Sequence, residues 1–304
     1  MEQKYCDLHI HTTYSDGERS VESLLEHAQQ KNLKKLSITD HDCVDAYFEI
    51  MQKNLSTKYD CEILVGCEFG CLDCDVPIEV LGYGFDLQQM KNYLDEYGFP
   101  QSKRDRIHCQ NFVNVAKMLG IDVDFDYERD YKNAKKDMKF LMLYLDLLKN
   151  QTFYDVLKSE NPSFVEKASY FMRFGINNPN SQFYQTTAQL FPSAKKVADV
   201  IHKCGGLCFL AHPYQYGEYM VKILENLKND IDGVECYHFT SLEPHKQQYL
   251  FDFCKQNNLL ISGGSDYHFV VDLKGFKDRL NEFCVPQQYF EQILKKSKGK
   301  NPLA

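Results

Sequence analysis

Seven short strand-like runs, most of them separated by stretches of helical periodicity, limit the fold of this chain more than any other feature. They fall at residues 5–9, 35–39, 63–66, 78–82, 207–211, 231–236 and 259–262. Strands alternating with helices at this spacing predict a parallel sheet. Seven or eight such units point to a closed β/α barrel over an open sheet. Ser20 predicts a helix cap ahead of Val21, Leu24, Leu25 and Ala28. Ser193 predicts another ahead of Val197, Val200 and Ile201, with Gly205 and Gly206 as its stop. Further helices are expected near residues 219–227, 244–256 and 286–295.

Residues 92–192 break the alternation. They are rich in Lys, Asp, Tyr and Phe, and their periodicity is helical. Phe112, Val115, Ala116 and Leu119 fit one helix face, and Leu141, Leu145 and Leu148 fit another. The expected organisation is therefore a barrel in two parts, residues 1–91 and 193–304, with a helical insertion or cap at 92–192 between the fourth and fifth strands. Such an insertion could cover a site at the barrel mouth or pack as a plain appendage.

Composition removes several functions. The 35 Lys and Arg against 43 Asp and Glu leave a net charge of −8. That balance disfavours bulk electrostatic binding of nucleic acid, but not a site for one nucleotide or one strand end. No apolar run approaches the ~18 residues a bilayer span needs, so no membrane partner is expected. The polar start, Met1 to Lys4, lacks the apolar centre of a signal peptide, and a cytoplasmic location is expected. The 12 Cys are scattered and read as free thiols. A single Cys71-x-x-Cys74 is a weak zinc signal.

The histidines are more informative. The first strand ends in Asp7-Leu8-His9-Ile10-His11, and residues two apart on a strand share a face. His9 and His11 can therefore hold one ion together. The second strand ends at Asp40-His41, the third at Glu68, the fifth at His212, and the seventh is followed by Asp266 and His268. Glu79 lies on the fourth strand, and Asp16 lies in the loop after the first. In a β/α barrel the C-terminal strand ends meet at one face, and active sites form there. His27, His108, His202, His238 and His245 scatter over helices and loops and read as ordinary.

Nine imidazoles and carboxylates at one mouth exceed the needs of one ion. They suit two or three divalent cations of the Mn, Fe or Zn kind, with Glu68 as the expected bridge. Three such ions against four carboxylates leave about +2, a field suited to an anion such as phosphate. Metal-bound water turns to hydroxide near neutral pH, so the expected reaction is phosphoester hydrolysis.

The motifs Asp7–Thr12 with Ser15-Asp16-Gly17, Ile38–Asp42, Gly66–Phe69, Ala211-His212-Pro213 and Gly264–His268 resemble the PHP (polymerase and histidinol phosphatase) family. The resemblance implies a distorted seven-stranded (β/α)7 TIM-like barrel, a trinuclear metal site and phosphoester hydrolysis. Carried over, one ion would take His9, His11, Glu68 and Asp266, and a second Asp16, His41 and His268. A third would take Glu68, His212 and Glu79, where the family usually has His. Asp40 would orient a ligand histidine or protonate the leaving group.

The chain looks most like stand-alone phosphoesterases with a helical insertion, which act on nucleoside bisphosphates and short RNA ends. Histidinol-phosphate phosphatases are the neighbouring branch. Arg104, Arg106 and Arg173 of the insertion are the candidates for gripping a substrate phosphate. Two other readings are an amide-hydrolysing barrel and a non-catalytic metal-binding or regulatory module. The phosphate-favouring charge and the lack of a strand-end Lys able to bridge metals weigh against the amide reading. The near-complete ligand set weighs against the regulatory one.

Overall fold

A computed structural model describes residues 5–98, 101–132, 139–185, 191–268, 279–280, 282–283, 285–298 and 303. The described strands are β1 (Tyr5–Ile10), β2 (Lys35–Ile38), β3 (Glu62–Asp73), β4 (Val76–Tyr83), β5 (Leu207–Leu210), β6 (Gly233–Tyr237), β7 (Leu260–Gly263) and β8 (Val285–Pro286). The helices from the start of the chain are α1 (Val21–Gln30), α2 (Asp45–Gln52), α3 (Leu55–Lys58) and α4 (Leu87–Tyr97). Next come α5 (Gln101–Met118), α6 (Lys139–Leu147), α7 (Gln151–Glu160) and α8 (Ala168–Phe171). The last four are α9 (Ala194–Lys203), α10 (Met220–Leu227), α11 (Pro244–Gln256) and α12 (Gln287–Lys296).

The chain divides into two compact units. The first is Met1–Cys74, Ile78–Gly98 and Pro192–Ala304, and the second is Asp75–Pro77 and Phe99–Phe191.

The strands form one sheet in the order β7-β6-β5-β4-β3-β2-β1-β8. β1, β2 and β3 pair in parallel, as do β5, β6 and β7. Beyond β7, Tyr267 bridges to Ile10, and the His11 N–H donates to the Tyr267 carbonyl at 2.9 Å. The sheet thereby curls into a nearly closed barrel.

Two expectations need correction. The sheet has eight strands, because the two residues of β8 pair antiparallel with β1. It is also mixed, since β4 runs antiparallel to β5. A parallel pair needs a long crossover, but only Cys74 and Asp75 separate β3 from β4. Both are left-handed, with φ 51° and 61°, the conformation of a tight hairpin turn.

The caps form as the sequence predicts. Ser20 accepts from the Ser23 N–H and Ser193 from the Lys196 N–H, so each side chain satisfies a free donor at its helix start. Behind them α1 buries Val21, Leu24, Leu25 and Ala28, and α9 buries Ala194, Val197, Ala198 and Ile201. Gly205 leaves α9 at φ 80°, a backbone setting that favours glycine. Leu8, Leu64, Leu81, Tyr83, Phe209 and Phe290 belong to one buried cluster. Gly233 is needed there, since a Cβ on it would stand 2.1 Å from the Phe209 ring.

The second unit is helical. Phe112, Val115 and Ala116 of α5 are buried with Phe153 and Phe171, and Leu119 packs against them. In α6 the buried side chains are Leu143, Tyr144 and Leu147, whereas Leu145 is exposed. The face expected from Leu141, Leu145 and Leu148 is rotated. Residues 140–145 are all apolar, so periodicity alone does not fix the phase.

Candidate metal centre

All nine residues selected from the strand ends lie in the first unit. Strand alternation sends Leu8 and Ile10 into the apolar core and leaves His9 and His11 on one face. The Nε2 atoms of His9 and His11 stand 3.2 and 3.3 Å from Glu68 Oε2, and both stand 3.4 Å from Asp266 Oδ1. Glu68 lies within the long strand β3 and is buried. Its carboxylate also meets His41 Nδ1 at 3.2 Å and His212 Nε2 at 3.0 Å. Four imidazoles from the C-terminal ends of three strands, β1, β2 and β5, thus converge on one acid.

The flanking ligands complete three overlapping groups. His11, Asp16, His41 and His268 form one, with His268 Nε2 at 3.1 Å from Asp16 Oδ1. His9, His11, Glu68 and Asp266 form the second. His41, Glu68 and Glu79 form the third, and His212 Nε2 lies 3.3 Å from Glu79 Oε2 beside it. Within each group the donor atoms lie within 4.8 Å of one another. No group among the described residues contains a Cys. Cys71 is a buried thiol, and Cys74 contacts Asp73 and Asn226. Burial pushes thiols up, Cys6 to about 12, which suits inert packing. Cys284 lies outside the described residues.

Four of the five imidazoles have their outer nitrogen held. His9 Nδ1 meets Glu235 Oε1 at 2.8 Å, His212 Nδ1 meets the Tyr216 hydroxyl at 3.3 Å, and His268 Nδ1 meets the Asp266 carbonyl at 2.9 Å. His11 Nδ1 lies 3.4 Å from Ser15 Oγ. Asp40 accepts from the Thr12 N–H at 2.7 Å, the Thr12 hydroxyl at 2.6 Å and the Ser15 hydroxyl at 2.6 Å. It pins the turn that presents Asp16 and reaches His11 through Ser15.

The charges tune one another. Burial alone would lower the His212 and His268 pKa values. The carboxylates around them win, raising His212 to about 9 and His268 to about 10. Burial and the Glu68 charge push Glu79 up, but His212 and His41 outweigh them and Glu79 falls to about 2. Burial likewise opposes ionisation of Glu68 and Asp266, and their histidines hold both well below the carboxylate range.

The arrangement fits divalent cations. His9 Nε2, His11 Nε2 and His41 Nδ1 are buried and make no hydrogen bond, although carboxylates lie close. Inward-facing imidazole nitrogens without hydrogen-bond partners, interleaved with carboxylates, make a mixed N/O donor set suited to Mn, Fe or Zn.

Glu235 and His238 lie outside the ligand set that the sequence predicts. Glu235 is fully buried on β6 and its second oxygen accepts the His212 N–H at 2.7 Å. A glutamate inside an apolar strand is rarely buried unless paired, and that was the available signal. His238 follows the same strand, and its Nε2 lies 3.4 Å from Asp266 Oδ2. It is buried beside the candidate ligand Asp266, which the expectation of an ordinary histidine did not include.

The three arginines lie in the second unit. Arg106 is exposed, paired with Glu128 and set over the Tyr127 ring. Arg104 is buried, with its guanidinium over the Phe191 ring. Arg173 is half-buried in a widened turn at Met172–Ile176.

The fold and these groups define a protein of the metal-dependent phosphoesterase class. The chain belongs to the PHP domain family, whose model matches residues 7–295. It is 24% identical over 275 residues to a phosphoribosyl 1,2-cyclic phosphate 1,2-diphosphodiesterase of Eggerthella lenta, covering 86% of this chain and 93% of that one. It is also 24% identical to the 5′-3′ exoribonuclease Rnm of Salmonella typhimurium, covering 86% and 84%. A crystal structure from Bifidobacterium adolescentis, assigned to the metal-dependent phosphoesterases, superposes with a TM-score of 0.66. It is 19% identical, covering 99% of this chain and 98% of that one. Among the described residues no helix is long and apolar enough to cross a membrane.

Proposed function

We propose that this protein hydrolyses phosphate esters of small nucleotides or short RNA ends at a centre of two or three divalent ions. The carrying observation is the convergence of His9, His11, His41 and His212 on the buried Glu68 carboxylate. The named activities of the cyclic phosphodiesterase and exoribonuclease relatives support the same reading.

His9, His11, Glu68 and Asp266 would hold one ion, and Asp16, His41 and His268 a second. Glu68, Glu79 and His212 would hold a third. When bound, such ions polarise a phosphate and acidify water. Glu68 belongs to two of the three groups and serves as their shared carboxylate. Asp40 and Ser15 fix the turn carrying Asp16, and Glu235 fixes the His9 ring. Four ligand carboxylates against three divalent ions leave about +2, and the buried Glu235 beside His9 lowers that to about +1, which still draws an anionic group to the mouth. Arg104, Arg106 and Arg173 of the insertion are the proposed phosphate contacts, and Arg106 is already paired with Glu128.

A substrate panel tests this. Metal-loaded protein is assayed with p-nitrophenyl phosphate, a nucleoside 3′,5′-bisphosphate, a cyclic nucleotide, short oligoribonucleotides and histidinol phosphate. Turnover of the nucleotide or RNA substrates is expected. Silence on all five at full metal occupancy overturns the proposal, and preference for histidinol phosphate moves it to the neighbouring branch.

A further inference from the structure

We infer that His238 is a positioning residue that fixes which oxygen of Asp266 faces the metal centre. The inference rests on the metal-centre reading proposed above. It concerns β6, a strand from which the sequence reading drew no ligand.

The His238 ring is buried, 1% exposed, and its environment assigns its proton. The Thr240 N–H donates to His238 Nδ1 at 3.3 Å, and the Thr240 hydroxyl lies 2.8 Å from the same nitrogen. An Nδ1 that accepts a backbone N–H carries no proton itself. The neutral ring then bears its proton on Nε2, which faces Asp266 Oδ2 at 3.4 Å. Asp266 is thus divided between two tasks. Oδ2 accepts the hydrogen bond from His238 Nε2–H, and Oδ1 faces the Nε2 atoms of His9 and His11.

The backbone around His238 is built to hold that direction. The Ser241 hydroxyl accepts the His238 N–H at 3.1 Å and lies 2.7 Å from the Cys236 carbonyl. The ring of Phe239 packs on the imidazole at 4.1 Å between centroids. The Asp266 backbone is left-handed, at φ 51°, and a free carboxylate rotates about its last side-chain bond. A carboxylate with one oxygen tied presents the other in one orientation. An untied one rotates, and ion affinity falls when such outer partners are removed, typically 10–100-fold.

The test is titration of Mn²⁺ into metal-free protein, for wild type, His238→Phe and His238→Gln, with far-UV circular dichroism on each. Phe keeps the ring volume and removes the donor, whereas Gln keeps a donor able to reach Asp266. His238→Phe should weaken one class of ion site tenfold or more and leave the others unchanged, with the fold intact. His238→Gln should lie within about threefold of wild type. Wild-type affinity in His238→Phe, or an equal loss in His238→Phe and His238→Gln, overturns the inference. If His238→Phe fails to fold, a tenfold loss in a folded His238→Gln also overturns it, and retention in His238→Gln supports it. A wild-type chain that takes up no ion overturns the metal-centre reading itself.

Discussion

Glu235 holds His9 through a 2.8 Å contact between its Oε1 and the ring Nδ1, and both side chains are fully buried. The other carboxylate oxygen accepts the His212 N–H. One acid therefore orients a ring from β1 and the backbone after β5. Glu235→Gln cannot satisfy both, because its amide nitrogen must face either His9 Nδ1–H or the His212 N–H. We expect ion affinity to fall about 10–100-fold, with helical content unchanged. Calorimetric titration of Mn²⁺ checks this, and an unchanged affinity removes Glu235 from the support of the centre.

His9→Ala and Asp266→Ala each delete a side chain common to the central ligand group. Either substitution should abolish phosphoester hydrolysis and reduce bound metal by elemental analysis, while far-UV circular dichroism stays close to wild type. Dialysis of the wild-type protein against a chelator should do the same, with activity returning on addition of Mn²⁺. Full activity in either variant would remove that residue from the ligand set.

Tyr47 supports β2 and β3 from α2. Its buried hydroxyl accepts from the Gly66 N–H at 2.7 Å and the Ile38 N–H at 3.1 Å, and it donates to the Ile38 carbonyl. Tyr47→Phe leaves buried backbone groups without a partner, each worth about 1–3 kcal/mol. A loss of about 2 kcal/mol or more is expected in urea unfolding. A shift below about 0.5 kcal/mol would show that water or relaxed backbone replaces the hydroxyl.

His202 offers a pH test away from the centre. Its Nε2 lies 2.7 Å from Asp232, and that hydrogen bond raises the His202 pKa above 6.5. A histidine whose folded pKa is raised stabilises the protein fully below its unfolded value. The benefit fades as pH rises through the folded value. Wild type should therefore exceed His202→Gln in stability below about pH 6, and the gap should close at higher pH. The ring is two-fifths exposed, so solvent screening keeps the gap below about 1 kcal/mol. Urea midpoints across that range decide it, and a gap that widens with pH contradicts the assignment.

Much of this protein was legible in residue order. Apolar runs of four to six residues located all seven longer strands, because burial on a pleated surface needs that spacing. Ser20 and Ser193 marked their helix starts, because a cap acts on the N–H groups of the next turn. The histidine ligands stood at or just after predicted strands, whereas Glu68 and Glu79 prove to lie inside β3 and β4, which run further than their apolar cores. Residues fixed by long-range contact were less visible. The pairing of Val285 with Cys6 depends on where two distant segments meet, and the reversal of β4 depends on two left-handed turn residues. The buried face of α6 is set by which apolar side chains find neighbours.

The sequence alone determined which chemical groups were available: five imidazoles and four carboxylates carried on or just after strands, in a chain of net charge −8. Tertiary structure alone decided that Glu68 lies under four of those rings, and that Glu235 and His238 hold the groups around it. The reason is physical. Strand alternation is a local property carried by each short segment, whereas the direction of a buried ring is set by its hydrogen-bond partner. For His9 that partner lies 226 residues away.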